Sequence, residues 1–243
     1  MAVVRYHVQY SIRENSIRFE IAHQPSFAIT TAYLDPGESL VTEGGAMVFK
    51  DTDITLETKA RGGFMKSLGR SMLGNESFFM NTWHSEAGGK IGLAQSLPGD
   101  MKVLDITPDT PVKVQSGGYI ASTEGIEIET KWSGAKTFFA KEGAIMLRIS
   151  GRGQLVIASY GALDEWTLGP GETFTVDTGH LVTMSEDIGF DVKKVGNWKS
   201  TMLSGEGLVS TLTGPGTFTT QSRSQESLLQ WLIPKLPSKT SSA

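Results

Sequence analysis

Apolar and polar residues alternate with a period of two along most of this chain. Ile17, Phe19 and Ile21 alternate with Ser16, Arg18 and Glu20, Ile54 and Leu56 with Asp53, Thr55 and Glu57, and Ile126 and Ile128 with Glu127 and Glu129. Phe174 and Val176 alternate with Thr173, Thr175 and Asp177, and Ile188, Phe190 and Val192 continue the pattern. Successive side chains of a strand point to opposite faces, so each segment offers one apolar and one polar face. Clusters of turn-forming residues (DPGE, AGGK, LPGD, TPDTP, QSGG, SGRG, LGPGE and TGPG) end these segments at short intervals. Many short strands joined by tight turns predict an all-β sandwich or barrel.

Two segments break the alternation. Between Gly62 and Leu73, residues Phe64, Met65, Leu68, Met72 and Leu73 fall near helical spacing with Lys66 and Arg70 opposite, although the internal glycines weaken a helix. Ser224–Ile233 opens on a serine suited to an N-cap, carries an acid in its first turn and stops before Pro234, which predicts a short C-terminal helix. The residues after it, KLPSKTSSA, read as a disordered tail.

The chain also repeats itself. A PG-acid turn occurs at Pro36-Gly37-Glu38, Pro98-Gly99-Asp100 and Pro170-Gly171-Glu172, and a glycine followed by an apolar pair at GGAMV (44–48), GGYIA (117–121) and TGHLV (178–182). Alternating strands begin at Ile54, Ile126 and Ile188, glutamates recur at Glu76, Glu142 and Glu206, and Gly88, Gly151 and Gly214 are evenly spaced. Landmarks of several kinds in one order predict three copies of a β-unit of roughly 65 residues. The expected division is 1–97 for the first unit, with 62–73 as an insertion, 98–168 for the second, 169–223 for the third, and 224–243 for the helix and tail. A small sheet exposes its edges, and three units in one chain cover each other's; further copies would complete the closure, so a homo-oligomer is expected.

Composition narrows the remaining choices. The 243 residues are enough to bury a sizeable core, and the absence of cysteine excludes disulfides and thiolate metal sites. With 22 basic and 26 acidic residues the formal charge is −4, which gives no global reason to expect nucleic acid. No apolar run approaches a membrane span and the start lacks a signal peptide's apolar stretch, so a soluble, cytoplasmic protein is expected.

Five stretches carry a family resemblance: PGESLVTEGGAMVF (36–49), GGFMKSLGRSMLGNESFFMN (62–81), GGKIGLAQSLPGDMKVLDI (88–106), YGALDEWTLGPGETFTVDTGHLVTM (160–184) and GEGLVSTLTGPGTFTTQSR (205–223). Through them the chain resembles a family of bacteria, archaea and fungal mitochondria named for altered inheritance of mitochondria, the twenty-fourth of that series. The resemblance implies three units, each similar to the tryptophan RNA-binding attenuator protein, a short double-stranded β-helix. It further implies trimers forming a ring of nine units. The second unit departs modestly, with AKEGAIMLRI where the family has a more glycine-rich run. The family supplies no reaction to carry over.

The residues themselves indicate no catalytic group and no metal or cofactor site. His7, His23, His84 and His180 are scattered, with none of the HxH or HxxxE groupings a cupin metal site needs. His180, aligned by repeat with Ala46 and Tyr119, is a candidate cleft residue together with Tyr119 and Trp166; the simpler expectation is a partly buried histidine bonded to a backbone carbonyl. Glu38, Asp100 and Glu172 are expected to cap turns, and a cation ring of Glu76, Glu142 and Glu206 is the competing use. Basic residues gather at Lys59, Arg61, Lys66 and Arg70 and at Lys193, Lys194 and Lys199, but with Phe64 and Trp198 as sole aromatic neighbours they fit a solvated face better than an RNA site. Phe64, Met65, Leu68, Met72 and Trp231 are candidate contacts with a protein partner or membrane surface. The leading expectation is a non-enzymatic oligomeric scaffold or binding protein, trimer favoured. A small-molecule binder or enzyme with clefts between units, and an RNA-binding ring, are the competing classes.

Overall fold

The computed structural model describes residues 8–10, 17–57, 71–73, 76–78, 80–129, 146–194 and 208–237. Their strands fall into three groups. The first holds β1 (Val8–Tyr10), β2 (Arg18–Ala22), β3 (Ile29–Leu34), β4 (Ser39–Glu43), β5 (Met47–Lys50), β6 (Ile54–Glu57), β7 (Ser71–Leu73), β8 (Glu76–Phe78), β9 (Met80–Ser85) and β10 (Gly89–Leu93). The second holds β11 (Met101–Ile106), β12 (Val112–Gln115), β13 (Tyr119–Thr123), β14 (Ile126–Glu129), β15 (Met146–Gly151) and β16 (Gly153–Ala158). The third holds β17 (Leu163–Leu168), β18 (Thr173–Asp177), β19 (Leu181–Ser185), β20 (Gly189–Lys194), β21 (Leu208–Thr213) and β22 (Gly216–Gln221). A helix, α1 (Gln225–Leu232), follows. Among the described residues the chain is therefore all-β, followed by a short C-terminal helix.

One antiparallel scheme serves every group. β3, β11 and β17 pair with β10, β16 and β22, respectively. β5, β13 and β19 take the other side of those same strands, each with a register shift at the same place. β4 and β6 flank β9, β12 and β14 flank β15, and β18 and β20 flank β21. Adjacent groups are joined by strand pairing too, β4 to β13 and β12 to β19. Two six-stranded sheets result, ordered β11-β16-β13-β4-β9-β6 and β14-β15-β12-β19-β22-β17. A five-stranded sheet β1-β2-β3-β10-β5 and a three-stranded sheet β18-β21-β20 carry the remaining strands of the three groups, beside the separate β7-β8 hairpin.

The turns explain why the chain breaks where it does. In Asp35–Glu38 and Gly169–Glu172 the fourth N–H donates to the first carbonyl at 3.1 Å. Gly37 and Gly171 take φ of +88° and +76°, which a proline–glycine pair supplies without strain. The Glu38 and Glu172 carboxylates then accept the first residue's N–H, both at 2.7 Å. The middle group makes the corresponding turn with Thr107–Thr110, where Thr110 Oγ1 accepts from the Thr107 N–H at 3.0 Å.

Pro98-Gly99-Asp100, which reads in the sequence as the second copy of that turn, stands elsewhere: it leads into β11, the first strand of its group. The same misreading places Leu163–Leu168 in the second unit, whereas β17 pairs along its whole length with β22 of the third group. The 62–73 segment lies mostly outside the described residues. Its end is a strand, because Ser71–Leu73 pairs with Glu76–Phe78; the hairpin gives these backbone groups partners that a glycine-rich helix would hold only weakly.

Among the described residues three buried clusters form the core, and two of them reach across a joint between groups. The first combines Phe19, Leu40, Ile54, Ile91 and Leu93 with Met101, Ile120 and Val156 of the second group. The second is built on Val114, Tyr119, Leu147, Ile149 and Ile157, and the third on Leu181, Met184, Leu212 and Phe218 with Met146 from β15. Strand pairing and apolar burial thus hold adjacent groups together. Among the described residues, no helix is long and apolar enough to cross a membrane.

Gly99 marks the closest approach: a Cβ there would stand 1.6 Å from the Ser159 carbonyl oxygen, while one on Gly117 would meet nothing within 4 Å. Gly99→Ala is expected to lower stability in urea unfolding by about 1–3 kcal/mol. Gly117→Ala should stay within about 0.5 kcal/mol of the parent.

Candidate functional site

The turn acids come first because they repeat. Glu38 and Glu172 each close their own turn, as described above. Asp100 caps locally as well: Oδ1 accepts from the Met101 N–H at 2.8 Å and from Gln24 Nε2 at 2.9 Å. Burial, working against the Asp35 N–H and with the nearby charges of Asp35 and Glu124, holds the Glu38 carboxyl above its usual range. Glu76 lies on β8, and Glu142 and Glu206 lie outside the described residues.

His180 ends a short 3₁₀ turn, Thr178–His180, that Asp177 caps through Gly179 N–H at 2.8 Å. Its Nδ1 lies 2.7 Å from the Gln221 carbonyl oxygen, a fixed structural partner, and the Gln221 side chain returns a bond from Nε2 to the Gly179 carbonyl at 2.8 Å. Strand register pairs Leu181 with Thr220 and Tyr119 with Ile157 immediately before the shared shift. Leu181, not His180, therefore corresponds to Tyr119; His180 corresponds to Gly118, the last residue of the Ser116–Gly118 turn.

The three candidate cleft residues have different surroundings. Tyr119 is fully buried on β13, its hydroxyl 2.9 Å from Ser122 Oγ, and burial pushes that hydroxyl far above the ordinary phenol range. Trp166 is partly exposed on β17, donates from Nε1 to Thr220 Oγ1 at 2.9 Å, and lies 5.2 Å from the Phe174 ring. His180 and Trp166 thus both attach to β22, at Gln221 and Thr220, while Tyr119 belongs to the neighbouring sheet.

Of the candidate contact residues, Phe64, Met65 and Leu68 lie outside the described residues, and Met72 sits on β7. Trp231 is well placed for a contact. Ser224 is buried and accepts the Ser227 N–H at 3.2 Å, so the start of α1 is anchored. Beyond that anchor no residue of α1 is buried, and a 3₁₀ turn carries the chain through Pro234 to Lys235. Leu229, Trp231, Ile233 and Leu236 are 43%, 60%, 60% and 55% exposed, and Lys235 Nζ stands 5.1 Å over the Trp231 ring. Of the basic residues, Lys193 and Lys194 lie on β20, and Lys59, Arg61, Lys66, Arg70 and Lys199 lie outside the described residues.

A charge network that the hydrophobic pattern does not signal lies at the β12–β19 joint. Lys113 is buried, donates to the Glu186 carbonyl at 3.0 Å and stands 3.8 Å from the Glu186 carboxylate. Arg148 Nε donates to the other Glu186 oxygen at 3.1 Å and Arg148 also faces Glu129 at 3.6 Å. A lysine between Val112 and Val114 on a strand was the available signal. It tethers the third group to the second.

Comparison with known proteins agrees with this architecture. The family model described as Mitochondrial biogenesis AIM24 matches residues 19–223. An uncharacterized protein of Streptococcus pyogenes serotype M6 is 27% identical over 246 residues, covering 98% of each chain. A structural-genomics crystal structure of a Streptococcus pyogenes protein, also 27% identical, superposes with a TM-score of 0.76 over 90% of this chain and all of that one.

The Glu38 environment predicts a pH dependence. The folded chain holds the Glu38 proton to higher pH than the unfolded chain does, so ionisation there costs stability as pH rises through the carboxylate range; below it the cost is absent. Glu38→Gln, which imitates the protonated side chain, is expected to melt at or above the parent temperature at neutral pH and to lose any advantage in acid. A lower melting temperature at neutral pH would contradict this reading.

Proposed function

We propose that this chain, which belongs to the mitochondrial biogenesis AIM24 family, is a non-enzymatic oligomeric scaffold that grips an apolar surface with its C-terminal segment. The observation that carries the reading is the contrast along residues 224–236: a buried, hydrogen-bonded Ser224 followed by Leu229, Trp231, Ile233 and Leu236, all exposed. An isolated exposed leucine is ordinary, but four large apolar side chains on one short anchored segment form a surface suited to a partner or a membrane interface. Trp231 with Lys235 over its ring has the amphipathic character of an interfacial anchor.

The proposal extends to assembly. Three units per chain, each similar to the tryptophan RNA-binding attenuator protein, would build a trimeric, cytoplasmic ring of nine. Within that ring the C-terminal segments would be displayed in several copies, so that weak individual contacts add through multivalency. The described turn acids and His180 hold backbone groups, which supports a structural use for residues that would otherwise be the first choice for catalysis.

The full chain should float with phosphatidylserine-containing vesicles or retain a protein partner in pull-down, and Trp231→Asp combined with Ile233→Asp should remove that binding while leaving the melting temperature within a few degrees. Blank results for the parent in both assays, or equal binding by parent and variant, would contradict the proposal.

A further inference from the structure

The two joints inside the chain follow one rule, and the rule leaves two strands over. Which residues correspond is fixed by the register shift against the last strand of each group. Before the shift stand Met47, Tyr119 and Leu181, opposite Leu93, Ile157 and Thr220; after it stand Phe49, Ala121 and Thr183, opposite Gly92, Val156 and Thr219. At the joints Ala121 faces Thr42 and Thr183 faces Val114, Ser122 faces Val41 and Met184 faces Lys113, Thr123 faces Leu40 and Ser185 faces Val112. Gln115 and Asp177 both immediately precede the 3₁₀ turn, so Val112, Lys113 and Val114 correspond to Phe174, Thr175 and Val176.

In the first group the receiving strand is β5, and in the third group the donating strand is β18. Among the described residues β5 has β10 on one side and nothing on the other, and β18 likewise has β21 alone. Burial shows what is missing. Tyr119, Ile120 and Ala121 are 0% exposed and Leu181, Val182 and Thr183 at most 5%, whereas Met47, Val48 and Phe49 are 38%, 53% and 41% exposed. An apolar edge strand with unpaired backbone groups is a template for another strand. The five-stranded sheet ending in β5 and the three-stranded sheet beginning in β18 are the two halves of the composite sheet that the chain builds twice elsewhere.

We infer that β18 of one chain pairs antiparallel with β5 of a second copy of this chain, in the register of the internal joints: Val176 opposite Phe49, Thr175 opposite Lys50 and Phe174 opposite Asp51. The inference rests on the oligomeric part of the proposed function and gives it a specific interface. The contact is head-to-tail, each copy offering one β5 and one β18, so repetition gives a closed ring where the rotation between copies returns to the start. It buries Met47, Val48 and Phe49 as their counterparts are buried within the chain.

Cysteine trapping tests the register directly, because the chain contains no cysteine of its own. Two double variants, Phe49→Cys with Val176→Cys and Lys50→Cys with Thr175→Cys, cover both classes of antiparallel pair, which alternate in spacing along a ladder. Mild oxidation should produce covalent dimers and larger species on non-reducing gels from at least one variant. The band series should be lost when Lys50→Cys is combined instead with Asp177→Cys, two positions away. Light scattering on the unmodified chain, which needs no variant to fold, should give a multiple of the monomer mass. A monomer overturns both the inference and the oligomeric reading. An oligomer in which neither in-register pair cross-links, or in which the shifted pair cross-links as well as they do, overturns the inference and leaves that reading standing. A disulfide closing within a single chain overturns the second copy as the occupant of the edge.

Discussion

The backbone groups along the side of a strand must be paired or solvated, and in this chain they are paired across the boundary between successive strand groups. β4 takes β13, and β12 takes β19, in one register. Without these joints each group would be a pair of three-stranded sheets packed on its own cluster, with the outer strands β4, β12, β13 and β19 left as open edges. With them, the first core cluster runs from Phe19 and Leu40 through Ile120 and Val156 without a break, and Met146 joins Leu181 and Phe218. Local turns decide where each strand begins, but the joints decide that the groups form one body.

The polar features fit around that constraint. Glu38 and Glu172 hold the turns that launch β4 and β18, and Thr110 does the same for β12 with a hydroxyl in place of a carboxylate. The Lys113, Glu186 and Arg148 network sits on the second joint, where a charged group on the strand would be costly without partners close at hand. Asp177, Gly179, His180 and Gln221 lock the 3₁₀ turn that delivers the chain into β19. Glu38, Glu172 and His180, which attract attention as chemistry in the sequence, are thus occupied in fixing strand entry. The exposed apolar residues of β5 and of the C-terminal segment stand outside this system of satisfied contacts, and they carry the functional argument.

Period-two alternation and turn clusters were enough to read the all-β class, and the Ser224 cap to read the helix. Gly88, Gly151 and Gly214 mark equivalent hairpins because each precedes the last strand of its group. The PG-acid turn misled for a physical reason: a proline–glycine turn can be used before any strand, and Pro98-Gly99 serves β11 while Thr107–Thr110 does the equivalent work without glycine. Pairing partners were beyond reach altogether. Met47, Val48 and Phe49 have the same apolar character as Tyr119, Ile120 and Ala121, and only the strand order separates the bare edge from the covered one. The helix that carries Trp231 was legible through its Ser224 cap, whereas Lys113 looked out of place between two valines until Glu186 appeared beside it.

The pairing rule used twice within the chain, at β4–β13 and β12–β19, is proposed to operate a third time between copies. Hydrogen–deuterium exchange on the unmodified protein reads this directly, through the amides of residues 47–50 and 173–177 that point away from β10 and β21. These amides are expected to exchange as slowly as those joining β4 to β13, and dilution is expected to speed them while leaving the internal joints unchanged. Exchange as fast as that of a solvent-facing edge at every protein concentration would contradict it.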